Sequence, residues 1–150
     1  MLIPYLSGII LALAVSSYAM LIGLDRDRAF YPTVLIVVAS YYVLFAVVGG
    51  SARALIDEVL IATIFLTVSA FGFKRNSWMI VGALAGHGVL DSFHGAVVSN
   101  DGVPRWWPAF CMTYDLTAAA FLAWALHRSP SQVSPRSRAE TWPQLIDAGD

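Results

Sequence analysis

The sequence predicts an all-α integral membrane bundle of five transmembrane helices. Three observations predict it. Five apolar stretches follow one another with only short polar breaks, each near the ~20 residues needed to cross hydrocarbon. Charged residues make up only 13% of the 150 positions and apolar residues 58%, against ~25% and ~45–50% in soluble domains; the mean hydropathy is +0.68. Trp78, Trp106, Trp107 and Trp124 fall near the ends of the stretches, as an interfacial aromatic belt requires. A soluble chain of this size needs charge to cover its surface, so the covering solvent here is expected to be lipid.

The first stretch runs from about Leu2 to Leu24 and stops at Asp25-Arg26-Asp27-Arg28. It is read as a retained helix. No Lys or Arg precedes Arg26, and the apolar run exceeds the ~7–15 residues of a signal-peptide core. The second runs from about Tyr31 to Val48, with Pro32 suited to a first helical turn. After Gly49-Gly50-Ser51, the third covers about Ala52 to Phe73 and halts at Lys74-Arg75-Asn76. The fourth spans about Trp78 to Val98. A turn-rich segment from Ser99 to Pro104 follows. The fifth covers about Pro108 to Leu126. From Ser129 the prolines and charges of the chain interrupt any apolar face, so residues 1–128 are expected to form the membrane domain and 129–150 a disordered cytoplasmic tail.

Orientation follows from the basic residues. Arg26, Arg28, Lys74, Arg75, Arg128, Arg136 and Arg138 fall on one side, Arg53 and Arg105 on the other. The positive-inside rule then places the N-terminus outside and the tail in the cytoplasm. A net charge of −1 suggests no nucleic-acid partner. The single cysteine, Cys111, excludes an internal disulfide.

Polar residues inside the membrane carry the functional signal. Asp57 and Glu58 lie about two turns into the third helix from the outer side, Asp91 about two turns before the end of the fourth, and Asp115 about two turns into the fifth. Each acid alone costs roughly 2.5–3.5 kcal/mol on insertion scales, so their alignment at one depth is not expected by chance. His87, Asp91 and His94 sit at i, i+4 and i+7, one helical stripe. Cys111 and Asp115 share a face of the fifth helix, and Arg53 can pair with Asp57 one turn on. Adjacent residues on a helix diverge by ~100°, so only one of Asp57 and Glu58 is expected to face the cluster.

Charge balance gives the cluster its chemistry. Carboxylates in low dielectric need bound cations or shared protons. His87, Asp91, His94 and Asp115 form an N/O ligand set suited to a divalent Zn, Fe or Mn ion. Asp115 and Glu58 are the candidate catalytic carboxylates. The bland reading stands beside this one: a lone intramembrane His or Asp is often interhelical hydrogen-bonding glue. Tyr41 and Tyr42 either donate to the site or pack in the core, and Cys111 is either a soft ligand or a small buried residue.

The segment Gly86-His87-Gly88-Val89-Leu90-Asp91-Ser92-Phe93-His94, continued by Val103-Pro104, Pro108 and Phe110-Cys111-Met112-Thr113-Tyr114-Asp115, resembles an uncharacterised family of small bacterial multi-pass membrane proteins. Their pattern is a His-x3-Asp-x2-His helix, a short Pro-containing loop, then a Cys and an Asp at the start of the next helix. The resemblance covers the last two helices; the first three match only as hydrophobic spans. Members often carry a second His directly after the last one, where this chain has Gly95. The resemblance implies a multi-pass protein of the bacterial inner membrane with a site at these residues, and no reaction. A looser analogy is to alkaline-ceramidase-like transmembrane metal hydrolases, which hold zinc in a larger bundle with histidines, an aspartate and a serine.

Three functions follow as expectations. The first is an intramembrane metalloenzyme, hydrolytic or redox, acting on a lipid-like or small-molecule substrate. The second is a proton- or cation-coupled transport protein. The third is a non-catalytic subunit, homo-oligomeric or bound to a membrane partner, in which the polar cluster is structural.

Overall fold

The computed structural model describes residues 2–128, and the tail expected from residue 129 onward lies outside them. Five α-helices and one short 3-10 turn make up the fold, and no strand occurs among the described residues. They are α1 (Ile3–Ile22), a 3-10 turn (Leu24–Asp27), α2 (Phe30–Val48), α3 (Ala52–Arg75), α4 (Ser77–Val97) and α5 (Trp107–Arg128).

Local chemistry accounts for the boundaries. Pro4 occupies the first turn of α1, where its missing N–H costs nothing. Gly23, at φ 77°, ends the helix in the left-handed conformation that glycine adopts without strain, and its N–H caps the Ala19 and Met20 carbonyls. Ser51 caps α3 by accepting the Ala54 N–H at 3.2 Å. Lys74 and Arg75 lie in the last turn of α3, complementing the negative end of its dipole. Asn76 is extended, stops α3, and its side chain accepts the Trp78 N–H at 2.9 Å to start α4. One residue thus separates two antiparallel helices.

The helices pack in the order α1, α5, α4, α3, α2, with α2 also touching α4. α4 is therefore central. Its buried stripe is Ile80, Ala83, Leu84, His87, Gly88, Asp91 and His94, a helical period of inward positions. α1 presents Gly8, Ala12, Ser16 and Ala19 to the bundle, and α5 buries Cys111, Asp115, Ala118, Ala119 and Leu122. Small residues on facing stripes let helices approach closely.

The outside is apolar. Leu21 is 82% exposed and Ile64 62%, among many such side chains. α1, α2, α3 and α5 are each long and apolar enough to cross a membrane. Although α4 matches them in length with 21 residues, its glycines and its polar residues His87, Asp91 and His94 reduce its hydropathy. These three polar residues are buried against neighbouring helices.

The basic ends gather as antiparallel packing requires. The Arg28 guanidinium reaches Ser77 Oγ at 3.5 Å, Trp78 packs edge-on to His127, and Arg128 covers the Trp124 ring at 4.2 Å.

Candidate metal centre

The centre is built on one helix pair. His87 and Asp91 stand one turn apart on α4, and Cys111 and Asp115 one turn apart on α5. Gly88 lets the two helices meet. A Cβ at that position would lie 3.0 Å from the Met112 carbonyl oxygen and 3.3 Å from the Asp115 Cβ, so any larger residue would push α5 away.

Four ligand-type groups converge there. His87 Nδ1 lies 2.7 Å from Asp115 Oδ2 and 3.6 Å from Asp91 Oδ2. The Cys111 thiol approaches Asp115 Oδ2 at 3.8 Å. One donor atom from each of His87, Asp91, Cys111 and Asp115 falls within 4.8 Å of the others. None of the four residues is more than 2% exposed.

Two of the oxygens lack partners. Asp91 Oδ2 and Asp115 Oδ1 are buried and accept no hydrogen bond, and the 3.6 Å contact with His87 is too long to count as one. A buried acceptor left unpaired costs about 1–3 kcal/mol, more if it is charged. A protonated His87 offsets only one of two ionised carboxylates. The arrangement therefore needs a bound cation or a further proton. One imidazole, one thiol and two carboxylates make a donor set that suits zinc or iron.

The shell around these groups is ordered. The Tyr42 hydroxyl donates to Asp91 Oδ1 at 2.6 Å. Phe65 meets His87 edge-on, with ring centres 4.8 Å apart. Leu35, Val38, Leu84 and Ala118 belong to the apolar core that also holds Cys111.

A second polar layer lies beside the first. His94 Nε2 is 3.0 Å from Glu58 Oε1 and 3.3 Å from Oε2. Asn100 donates to Glu58 Oε1 at 2.9 Å and to the Tyr42 carbonyl at 3.2 Å. The Tyr42 ring stacks on the His94 imidazole at 4.1 Å and 26°. A cavity of about 240 Å³ opens at this end, lined by His94, Gly95, Asn100, Asp101, Arg105 and Pro108 among others.

Residues grouped by sequence spacing thus divide into two sets. His87, Asp91 and Asp115 come together, while His94 pairs with Glu58 and not with the donor group around Asp115. The stripe continues to His94, but Phe93, at φ −130° and ψ 16°, is non-helical and kinks α4 just before it. Of the two adjacent acids on α3, Glu58 is buried and Asp57 half-buried. Arg53 is exposed, and among the described residues no ion pair joins it to Asp57.

Cys111 lies within the donor group and also in the apolar core, the two roles between which spacing left it open. Tyr42 is the hydroxyl donor of the pair weighed from sequence; Tyr41 instead packs on Trp107 with ring centres 4.9 Å apart. Asn100 carried no signal beyond its place in a turn, since its role depends on where the α4–α5 loop folds over α2.

Comparison with family models, with curated proteins and with solved structures gives no match for this chain. The resemblance drawn from the motif residues rests on those residues alone.

Proposed function

We propose that the chain is a five-span integral membrane metalloprotein whose His87, Asp91, Cys111 and Asp115 hold one divalent cation towards the outer end of the bundle. The observation that carries this reading is the convergence of four donor atoms within 4.8 Å in a water-excluded interior, two of whose carboxylate oxygens have no protein partner. Zinc and iron suit the mixed sulfur, nitrogen and oxygen set best. α4 counts as the fifth span in this reading because its polar face points inward and its outer face carries Val89, Phe93 and Val97. The N-terminus lies outside, since Arg26, Arg28, Lys74, Arg75 and Arg128 share the opposite end of the bundle. The motif resemblance supports a bacterial inner membrane.

A cation there supplies Lewis acidity for hydrolysis or, as iron, a one-electron couple. The chain's own residues set the rest. Tyr42 holds one oxygen of Asp91 and leaves Oδ2 free for the cation, and Asp115, whose Oδ1 also has no protein partner, is the candidate base at the centre. Glu58, the other candidate base, is held by His94 and Asn100 and acts in the outer layer. The substrate, if the centre is catalytic, is lipid-like or a small molecule admitted at the outer end.

A second reading draws on the 2.7 Å contact between His87 Nδ1 and Asp115 Oδ2, a normal hydrogen-bond length. It makes the cluster a proton-sharing site of a coupled transporter. Metal analysis decides between them. The purified protein in detergent is expected to hold about one metal per chain. Cobalt(II) substitution is expected to show thiolate charge-transfer absorption that Cys111→Ser removes. A metal-free preparation whose melting temperature ignores chelator would eliminate the metal reading and leave the proton-sharing one.

A further inference from the structure

The four donor residues of the inner centre are at most 2% exposed, so a cation can reach them only through some part of the surrounding wall. The outer layer links a cavity to the centre through a continuous run of contacts. From the outside inward the order is the cavity of about 240 Å³, which His94 lines, the His94–Glu58 pair, the Tyr42 ring stacked on His94, and Asp91, which Tyr42 holds at 2.6 Å. Tyr42 therefore touches both sites, its ring lying on His94 and its hydroxyl on Asp91 of the inner centre.

Three features suit this layer to passing an ion inward. Glu58 and His94 offer oxygen and nitrogen donors of the same kinds as the inner site. Moving a cation from water into a fully buried site in one step carries a large desolvation penalty, and an intermediate pair of donors divides the step. The kink at Phe93 falls between Asp91 and His94, so His94 is set off from the helical stripe that carries His87 and Asp91. The Asn100 side chain ties Glu58 to the backbone of Tyr42, coupling the pair to the ring that covers the centre.

We propose that Glu58 and His94 form a transfer gate through which the cation passes from the outer cavity to the buried His87, Asp91, Cys111 and Asp115 centre, with Tyr42 as the movable partition. This inference rests on the metal reading above. Only coordination changes along the path: the ion exchanges water for Glu58 and His94, then these for the inner donors.

The test measures the rates of cobalt(II) loading and release, by its absorption, on the metal-free full chain in detergent. Glu58→Gln and His94→Gln are expected to slow both rates by about tenfold or more while leaving stoichiometry and affinity nearly unchanged, because a gate lowers a barrier without altering the end states. Asp57→Asn, on the same helix but outside the network, is expected to load at the wild-type rate. Gly95→Phe gives an independent reading. A Cβ there meets nothing within 4 Å beyond its chain neighbours and Gly95 lines the cavity, so the added ring narrows the cavity while leaving both donor side chains in place, and it too is expected to slow loading. If either gate variant fails to fold, Gly95→Phe alone decides. Wild-type rates in the folded variants would overturn the gate and leave the metal centre standing. A fall in affinity equal to the fall in loading rate would overturn it as well, since the two residues would then be ligands or structural supports. A wild-type chain that binds no cobalt would remove the metal reading itself, and the gate with it.

Discussion

Replacing Tyr42 by Phe removes one oxygen from the wall of the centre and nothing else. The ring that stacks on His94 at 4.1 Å is kept, so the His94–Glu58 pair should hold its geometry. What is lost is the 2.6 Å hydrogen bond to Asp91 Oδ1. Asp91 Oδ2 already has no partner, so the variant leaves the whole carboxylate unpaired among protein atoms. Hydrogen bonds to charged groups are worth about 1.5–3 kcal/mol. At ~1.4 kcal/mol per factor of ten, that corresponds to roughly 10–150-fold in whichever equilibrium depends on the orientation of Asp91. Removing the partner that orients a metal ligand typically costs about 10–100-fold in metal affinity, a range that overlaps the first. The assay is competition for cobalt(II) or zinc(II) between the protein in detergent and a chelator of known affinity, run beside thermal melting of the metal-free form. The expected result is weaker metal binding with unchanged stoichiometry. An affinity within about twofold of wild type, with the fold intact, would refute the assignment of Asp91 as a ligand held by Tyr42.

Two further predictions test the frame around the site. Asn76→Ala removes the residue whose side chain caps α4 and should cost about 1 kcal/mol, read as a lowered melting temperature with metal content unchanged. Ile64→Arg places a charge in the interior of α3 on a face 62% exposed. If that face meets lipid, insertion should be penalised by roughly 2.5–3.5 kcal/mol, visible as reduced membrane-inserted protein, whereas a soluble surface would accept the change without loss.

The five helices were legible in the sequence because their signals are local. Apolar length, the breaks at Asp25-Arg26, Gly49-Gly50 and Lys74-Arg75-Asn76, and the turn residues after Ser99 each act within a few positions, and the observed boundaries at Gly23, Ser51 and Asn76 fall at those breaks. Half of the site was legible for the same reason. The one-turn spacings of His87 with Asp91 and of Cys111 with Asp115 put each pair on one face whatever the rest of the chain does.

How those pairs combine is a question of helix rotation and distance, which no local period encodes. Gly88 brings α4 against the α5 backbone closely enough for His87 to reach Asp115 at 2.7 Å, and the sequence marks that glycine no differently from Gly86, whose Cβ would meet open space. The kink at Phe93 and the rotation of α3 that buries Glu58 together separate His94 from the stripe that spacing assigned it to. Tyr42 and Asn100 acquire their roles only when α2 and the α4–α5 loop close over that end of the bundle. Hydropathy and turn chemistry depend on neighbours along the chain and so determine the elements. Contacts across helices depend on side-chain volume and axial rotation summed over the whole bundle, and these decided which of the buried polar groups share a centre.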